Sequence, residues 1–215
     1  MNYILSKLIE LLYTIPAVVI AISLHEAAHG LISYKLGDPT PKKDGRLSLN
    51  PLKHFDPMGT LCLIFFHFGW AKPVMVNPYY YKNKKQGMVL VALAGPFMNF
   101  LIAFLSIFSM TLIAKLTLLN GAWIYLFFFL MYLATINIGL GIFNLVPVPP
   151  LDGSKVLGAV LPSDKYFKYM QYEQYGMIVL VLLLFAGILD KPFTLASGFL
   201  TTAMQNLSIS IINLF

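Results

Sequence analysis

The chain has 215 residues, 58% of them hydrophobic and 11% charged, and a mean hydropathy of +0.75. Soluble domains average about 25% charged residues, so the composition excludes an ordinary water-soluble protein and leaves no room for a separate soluble domain beside the apolar stretches. The net charge of +6 is concentrated: Lys35, Lys42, Lys43, Arg46, Lys53, Lys72, Lys82, Lys84 and Lys85 are nine of the fifteen basic residues, opposed in that region only by Asp38, Asp44 and Asp56. Such a cluster beside apolar spans is the positive-inside signal. It assigns the region to the cytoplasmic face of a cell membrane and its charge to anionic lipid and a solvated surface, with no nucleic acid as partner.

In chain order, an apolar helix is expected from about Ile4 to Leu36, broken up by Lys7, Glu10 and Pro16 and stopped by Gly37. It is not a cleavable signal, which would need a small-residue cleavage site where this run leads into SLHEAAHGLISYKLG. GDPTPKKDGRLSLNPLKHFDP reads as a surface loop with a hairpin turn at Lys43-Asp44-Gly45. Met58 to Gly69 is an apolar run of about a dozen residues, a length typical of re-entrant or interfacial segments. It holds the single cysteine, Cys62, which excludes an internal disulfide. GWAKPVMVNP is expected to be extended, because Pro73 and Pro78 oppose a helix. A span with a kink at Pro96 follows from Met88. A turn at Asn120-Gly121 leads to a second span, about Ala122 to Leu145, ending at VPVPPLDGSKV. A third, about Met177 to Leu189, follows the interfacial tyrosines Tyr166, Tyr169, Tyr172 and Tyr175, and Asp190-Lys191-Pro192 is the next turn. Phe193 to Phe215 is either a sixth crossing or an interfacial helix. The expectation is an all-α polytopic membrane protein, one domain over residues 1–215, with five to six transmembrane helices and a re-entrant, β-hairpin-like segment near the active site. Counting crossings returns Asp152 to the side on which the first helix ends.

His25-Glu26-Ala27-Ala28-His29 places two imidazoles at i and i+4 on one helix face, where both reach one zinc, with Glu26 beside them to accept a proton from water. An ionisable residue inside a span is costly and marks function by default. A catalytic zinc needs a third protein ligand. Asp152 follows the prolines of VPVPP and precedes Gly153, so it is either that ligand or the N-cap of the helix that starts at Ser154. His54, in KHFDPMG, either gates the site or is a polar residue at a helix start, and His67 is either a proton relay or a buried imidazole.

HEAAH on a membrane helix, AGPFMN opening a later span and FNLVPVPPLDG further on resemble the site-2 protease family of intramembrane zinc metalloproteases, in its small bacterial form without a PDZ or other regulatory domain. The resemblance covers nearly the whole chain. It implies Zn2+ held by His25, His29 and Asp152, Glu26 as general acid and base, transmembrane helices of other proteins as substrates, and a site opening toward the cytoplasm. It also implies that Asn144 hydrogen-bonds the substrate backbone or the developing oxyanion. Asn99 lies either near the substrate or in a helix–helix hydrogen bond. Helical substrates must unwind before cleavage, and GWAKPVMV is positioned in sequence to pair with the unwound peptide as an added strand. The rival readings are a zinc transporter or sensor, which lacks the paired repeats expected of it, and an inactive scaffold, against which the intact motif argues. The oligomeric state is open, a homo-oligomer included.

Overall fold

The computed structural model describes residues 3–48, 50–53, 72–116 and 120–214. These form helices α1 (Tyr3–Lys35), α2 (Thr40–Lys43), α3 (Lys84–Leu116), α4 (Ala122–Asn144), α5 (Asp152–Val160), α6 (Ser163–Met170), α7 (Glu173–Phe185) and α8 (Asp190–Ile212), and no strand occurs among the described residues. Four of them, α1, α3, α4 and α8, are long and apolar enough to cross a membrane, since about 20 helical residues span a hydrocarbon core of about 30 Å. Leu12, Phe97 and Phe199 are each at least 67% exposed, an outward apolar surface that suits lipid and not water. Over the described residues the protein is all-α, with four candidate membrane-spanning helices.

Several expectations need correction. The expected span at Met177–Leu189 is α7, which has 13 residues and ends at Phe185, about 20 Å at 1.5 Å per residue. Gly187, at φ +65°, turns the chain there. The next turn therefore comes before Asp190-Lys191-Pro192, which open α8 instead, a position where proline is tolerated because the first helical N–H groups have no partner to lose. The final segment has the length and apolarity of a span. At Lys43-Asp44-Gly45 the chain turns by ending the short α2, with Gly45 at φ +65°, and forms no hairpin. Arg46, read as surface, is buried and donates to the Lys53 carbonyl. The Met58–Gly69 run, Cys62, His54 and His67 lie outside the described residues.

Residues 1–21, 99–143 and 183–215 form one compact unit, and residues 22–98 and 144–182 another. In the first, Ala103 and Ile107 of α3 meet Ala134 and Ile138 of α4 in a buried core, against which Leu200 and Met204 of α8 pack. Asn99 is fully buried here, its amide donating to the Ala21 carbonyl at 3.3 Å and to Asn137 Oδ1 at 2.8 Å. A polar group removed from water needs such partners, and these tie α1, α3 and α4 together.

In the second unit a fully buried carboxylate, Asp38, organises the chain after α1. It accepts from Ser33 Oγ at 2.7 Å, from the Thr40 N–H at 2.9 Å and from the Asn77 N–H at 2.7 Å. Ser33 Oγ is also 2.7 Å from the Tyr81 hydroxyl. Burial alone would raise the Asp38 pKa, but the hydrogen bonds from Thr40, Asn77 and Ser33 hold it below the usual carboxylate value. A depressed carboxylate pKa gives stability that is fully present above the unfolded value near ~3.9 and is lost as pH falls through the folded pKa. In Asp38→Asn an amide N–H faces donors where an oxygen accepted, at a cost of about 1.5–3 kcal/mol. The variant should melt several degrees below the parent at pH 7 in detergent, with the gap closing as the pH drops below about 4; equal melting curves at pH 7 would show that the network contributes nothing.

Candidate functional site

The site lies within the second unit. His25 and His29, one turn apart on α1, bring their Nε2 atoms to 3.0 Å of each other. Asp152 Oδ2 is 3.2 Å from the first and 3.0 Å from the second. All three residues are buried, and among the described residues they form the group of His, Cys, Asp and Glu able to hold a metal ion. Ligand atoms about 2.0–2.2 Å from one tetrahedral ion lie about 3.3 Å apart, so the triangle has close to the dimensions of a zinc face and the donor set fits zinc.

The chain fixes this triangle through backbone as much as side chains. His29 Nδ1 lies 2.6 Å from the Val91 carbonyl; this contact requires Nδ1 to donate, which leaves Nε2 with its lone pair toward the metal position. Gly95, one turn after Val91 on α3, opens the space for both rings: a Cβ there would sit 2.5 Å from His25 Nε2 and 2.5 Å from His29 Nε2. Asp152 is the first residue of α5, and Leu151 is the N-cap. The capping alternative for Asp152 is therefore not the arrangement found. Gly153 lets this backbone pass the Leu145 and Val146 carbonyls, since a Cβ would meet the Leu145 oxygen at 2.3 Å.

Glu26 stands apart from the triangle. Its Oε2 accepts the Val74 N–H at 3.0 Å, so the non-helical segment 72–77 runs against the carboxylate, and three residues later Asn77 binds Asp38. A cavity of about 140 Å³ is lined by Glu26, the three triangle residues, Val74, Val76, Asn144 and Lys155, among others. Lys155 Nζ lies 3.6 Å from Asp152 Oδ1. Asn144 is thus brought to the site, whereas Asn99 sits in the other unit with its amide engaged by Ala21 and Asn137. His54 is among the residues outside the description.

Sequence reasoning missed Gly95, the Val91 carbonyl and the Val74 N–H. The first carried a usable signal, a glycine inside a membrane helix, which asks what approaches it closely. The other two are backbone groups without a residue signature.

The sequence model of peptidase family M50 matches residues 113–187, which include Asn144 and Asp152. The YwhC protein of Bacillus subtilis (strain 168), named as a zinc metalloprotease, is 38% identical over 173 residues, covering 80% of this chain and 79% of that one. The chain belongs to peptidase family M50. Two further relatives, also named as zinc metalloproteases, are the Rip2 proteins of Mycolicibacterium smegmatis and Mycobacterium tuberculosis (strain H37Rv), each 27% identical. They cover 80% and 81% of this chain and 66% and 67% of their own lengths. No solved structure matches the chain. Membership of M50, the site-2 protease family, makes this protein an intramembrane peptidase.

Proposed function

We propose that the protein is an intramembrane zinc metalloprotease that hydrolyses peptide bonds in transmembrane segments of other membrane proteins, with His25, His29 and Asp152 as zinc ligands and Glu26 as general base and acid. The observation that carries the assignment is the convergence of Asp152 Oδ2 on both Nε2 atoms, 127 residues along the sequence from His25, with the Glu26 carboxylate on the wall of the same cavity. When bound, zinc supplies Lewis acidity, which makes water a nucleophile near neutral pH and polarises the scissile carbonyl. Glu26 takes the proton of the attacking water and returns it to the leaving nitrogen. The Val74 N–H holds one carboxylate oxygen of Glu26 and so aims the other. Asn144, on the wall of the same cavity, hydrogen-bonds the substrate backbone or the developing oxyanion. Asn99 is assigned to holding helices together. Family membership decides against the transporter reading.

A site opening toward the cytoplasm, in the cell membrane, is supported by the basic residues between Lys35 and Lys85. The enzyme is one domain over residues 1–215, because α1, α3, α4 and α7 each contribute residues to both compact units. Its five to six membrane crossings include α7 beside the four long apolar helices.

Segment 72–77 receives the unwound substrate as an added strand. Val74 already donates to Glu26, so proline at that position would disturb the base itself; Val76→Pro is the cleaner test. Loss of one backbone hydrogen bond should lower cleavage of a transmembrane test substrate about tenfold with zinc content unchanged, and undiminished cleavage would exclude the pairing. The function as a whole is tested by stoichiometric zinc in the purified protein together with cleavage that stops on chelation and returns with zinc.

A further inference from the structure

A second cavity, of about 400 Å³, adjoins the catalytic one, within the ~300–1,000 Å³ usual for ligand sites. Tyr79, Lys84, Lys85, Met88, Lys155 and Tyr166 are among its walls, and Met88 and Lys155 line both cavities. The two cavities thus share the wall made by Met88 and Lys155. Lys84 and Lys85 are the first two residues of α3, whose first turn holds no acidic residue, although that end of a helix dipole favours negative charge. The Lys84 ammonium rests 4.1 Å from the centre of the Tyr79 ring, and Lys85 donates to the Leu161 carbonyl at 3.0 Å. Among the described residues neither lysine has a carboxylate within 4.0 Å. Lys155 is paired with Asp152, and Glu173 acts on Tyr166 from α7. Aromatic and thioether walls carrying two cations without an acidic partner match an acidic side chain set among apolar ones.

We propose that this cavity is a substrate subsite that selects an acidic side chain in the peptide segment flanking the scissile bond, through Lys84 and Lys85. The inference rests on the proteolytic reading above and deepens it. A lipid headgroup would satisfy the charge, but the wall shared with the catalytic cavity favours the peptide.

The test uses the Glu26→Gln protein in nanodiscs of neutral phosphatidylcholine, binding labelled transmembrane peptides whose juxtamembrane flank carries two Glu, two Gln or two Lys. The Glu flank should bind about tenfold more tightly than the Lys flank, and Lys84→Glu/Lys85→Glu should reverse the order. Equal Kd values across the three flanks, or a Glu preference that persists in the double variant, would overturn the subsite. So would a lysine effect that is the same for every peptide and appears only when anionic lipid is added, which would mark a headgroup site. A parallel cleavage assay with Glu26 intact separates the two readings: charge-ranked binding without cleavage of any peptide supports the subsite and counts against proteolysis.

Discussion

Glu26→Gln should retain stoichiometric zinc and lose cleavage, whereas Asp152→Ala should lose both. The two outcomes differ because the carboxylates occupy different places. Glu26 directs Oε2 at the Val74 N–H and supplies no atom to the donor triangle. Gln has the same shape and can still accept that N–H through its carbonyl oxygen, so the surroundings persist. An amide cannot hold the transferred proton, and loss of general acid–base catalysis lowers the rate by about 10²–10⁴. Asp152 supplies the single oxygen that meets both imidazoles. Its removal leaves two protein ligands where a catalytic zinc takes three. Metal analysis of the purified variants, alongside cleavage of a transmembrane test substrate, reads both effects. Full metal and activity in Asp152→Ala would separate the LDG segment from the site, and cleavage by Glu26→Gln would place the base elsewhere.

The parts of this site that were legible in the sequence are the local ones. HEAAH fixes its own geometry, because i and i+4 on a helix face the same way whatever surrounds them. Asp152 was ambiguous alone: an Asp-Gly pair ahead of a helix looks the same whether the carboxylate caps the helix or leaves it, and only the position of Leu151 as N-cap and the distances to His25 and His29 separate the two. The length of α7 was misread because Ile188 and Leu189 continue the apolar run past the helix end, while the turn is made by Gly187. Asn99 and Asn144 both stood in apolar spans with the same two meanings. The first is buried with its amide bonded to Ala21 and Asn137, and the second lies on the wall of the cavity that holds His25, His29 and Asp152.

Gly95→Ala should weaken metal binding and lower cleavage without weakening its helix. Val91 and Gly95 are one turn apart and so share a face of α3. That face offers the His25 and His29 rings a carbonyl from one residue and an absent side chain from the other. A methyl group at Gly95 would stand 2.5 Å from both Nε2 atoms, well inside van der Waals contact. These rings cannot swing aside as a long surface side chain would: His29 is held at Nδ1 by the Val91 carbonyl, and both must meet Asp152. Displacement of reacting groups by about 1 Å costs roughly 10² in rate, so cleavage should fall at least that far and zinc should be lost at chelator concentrations the parent withstands. Alanine is the better helix former by about 1 kcal/mol, so helical content by circular dichroism should not drop. Gly198→Ala on α8, where a Cβ meets nothing within 4 Å, is the matched control and should keep metal and activity. If Gly95→Ala behaves like that control, the rings have room to move and the close approach of α3 is not what shapes the site.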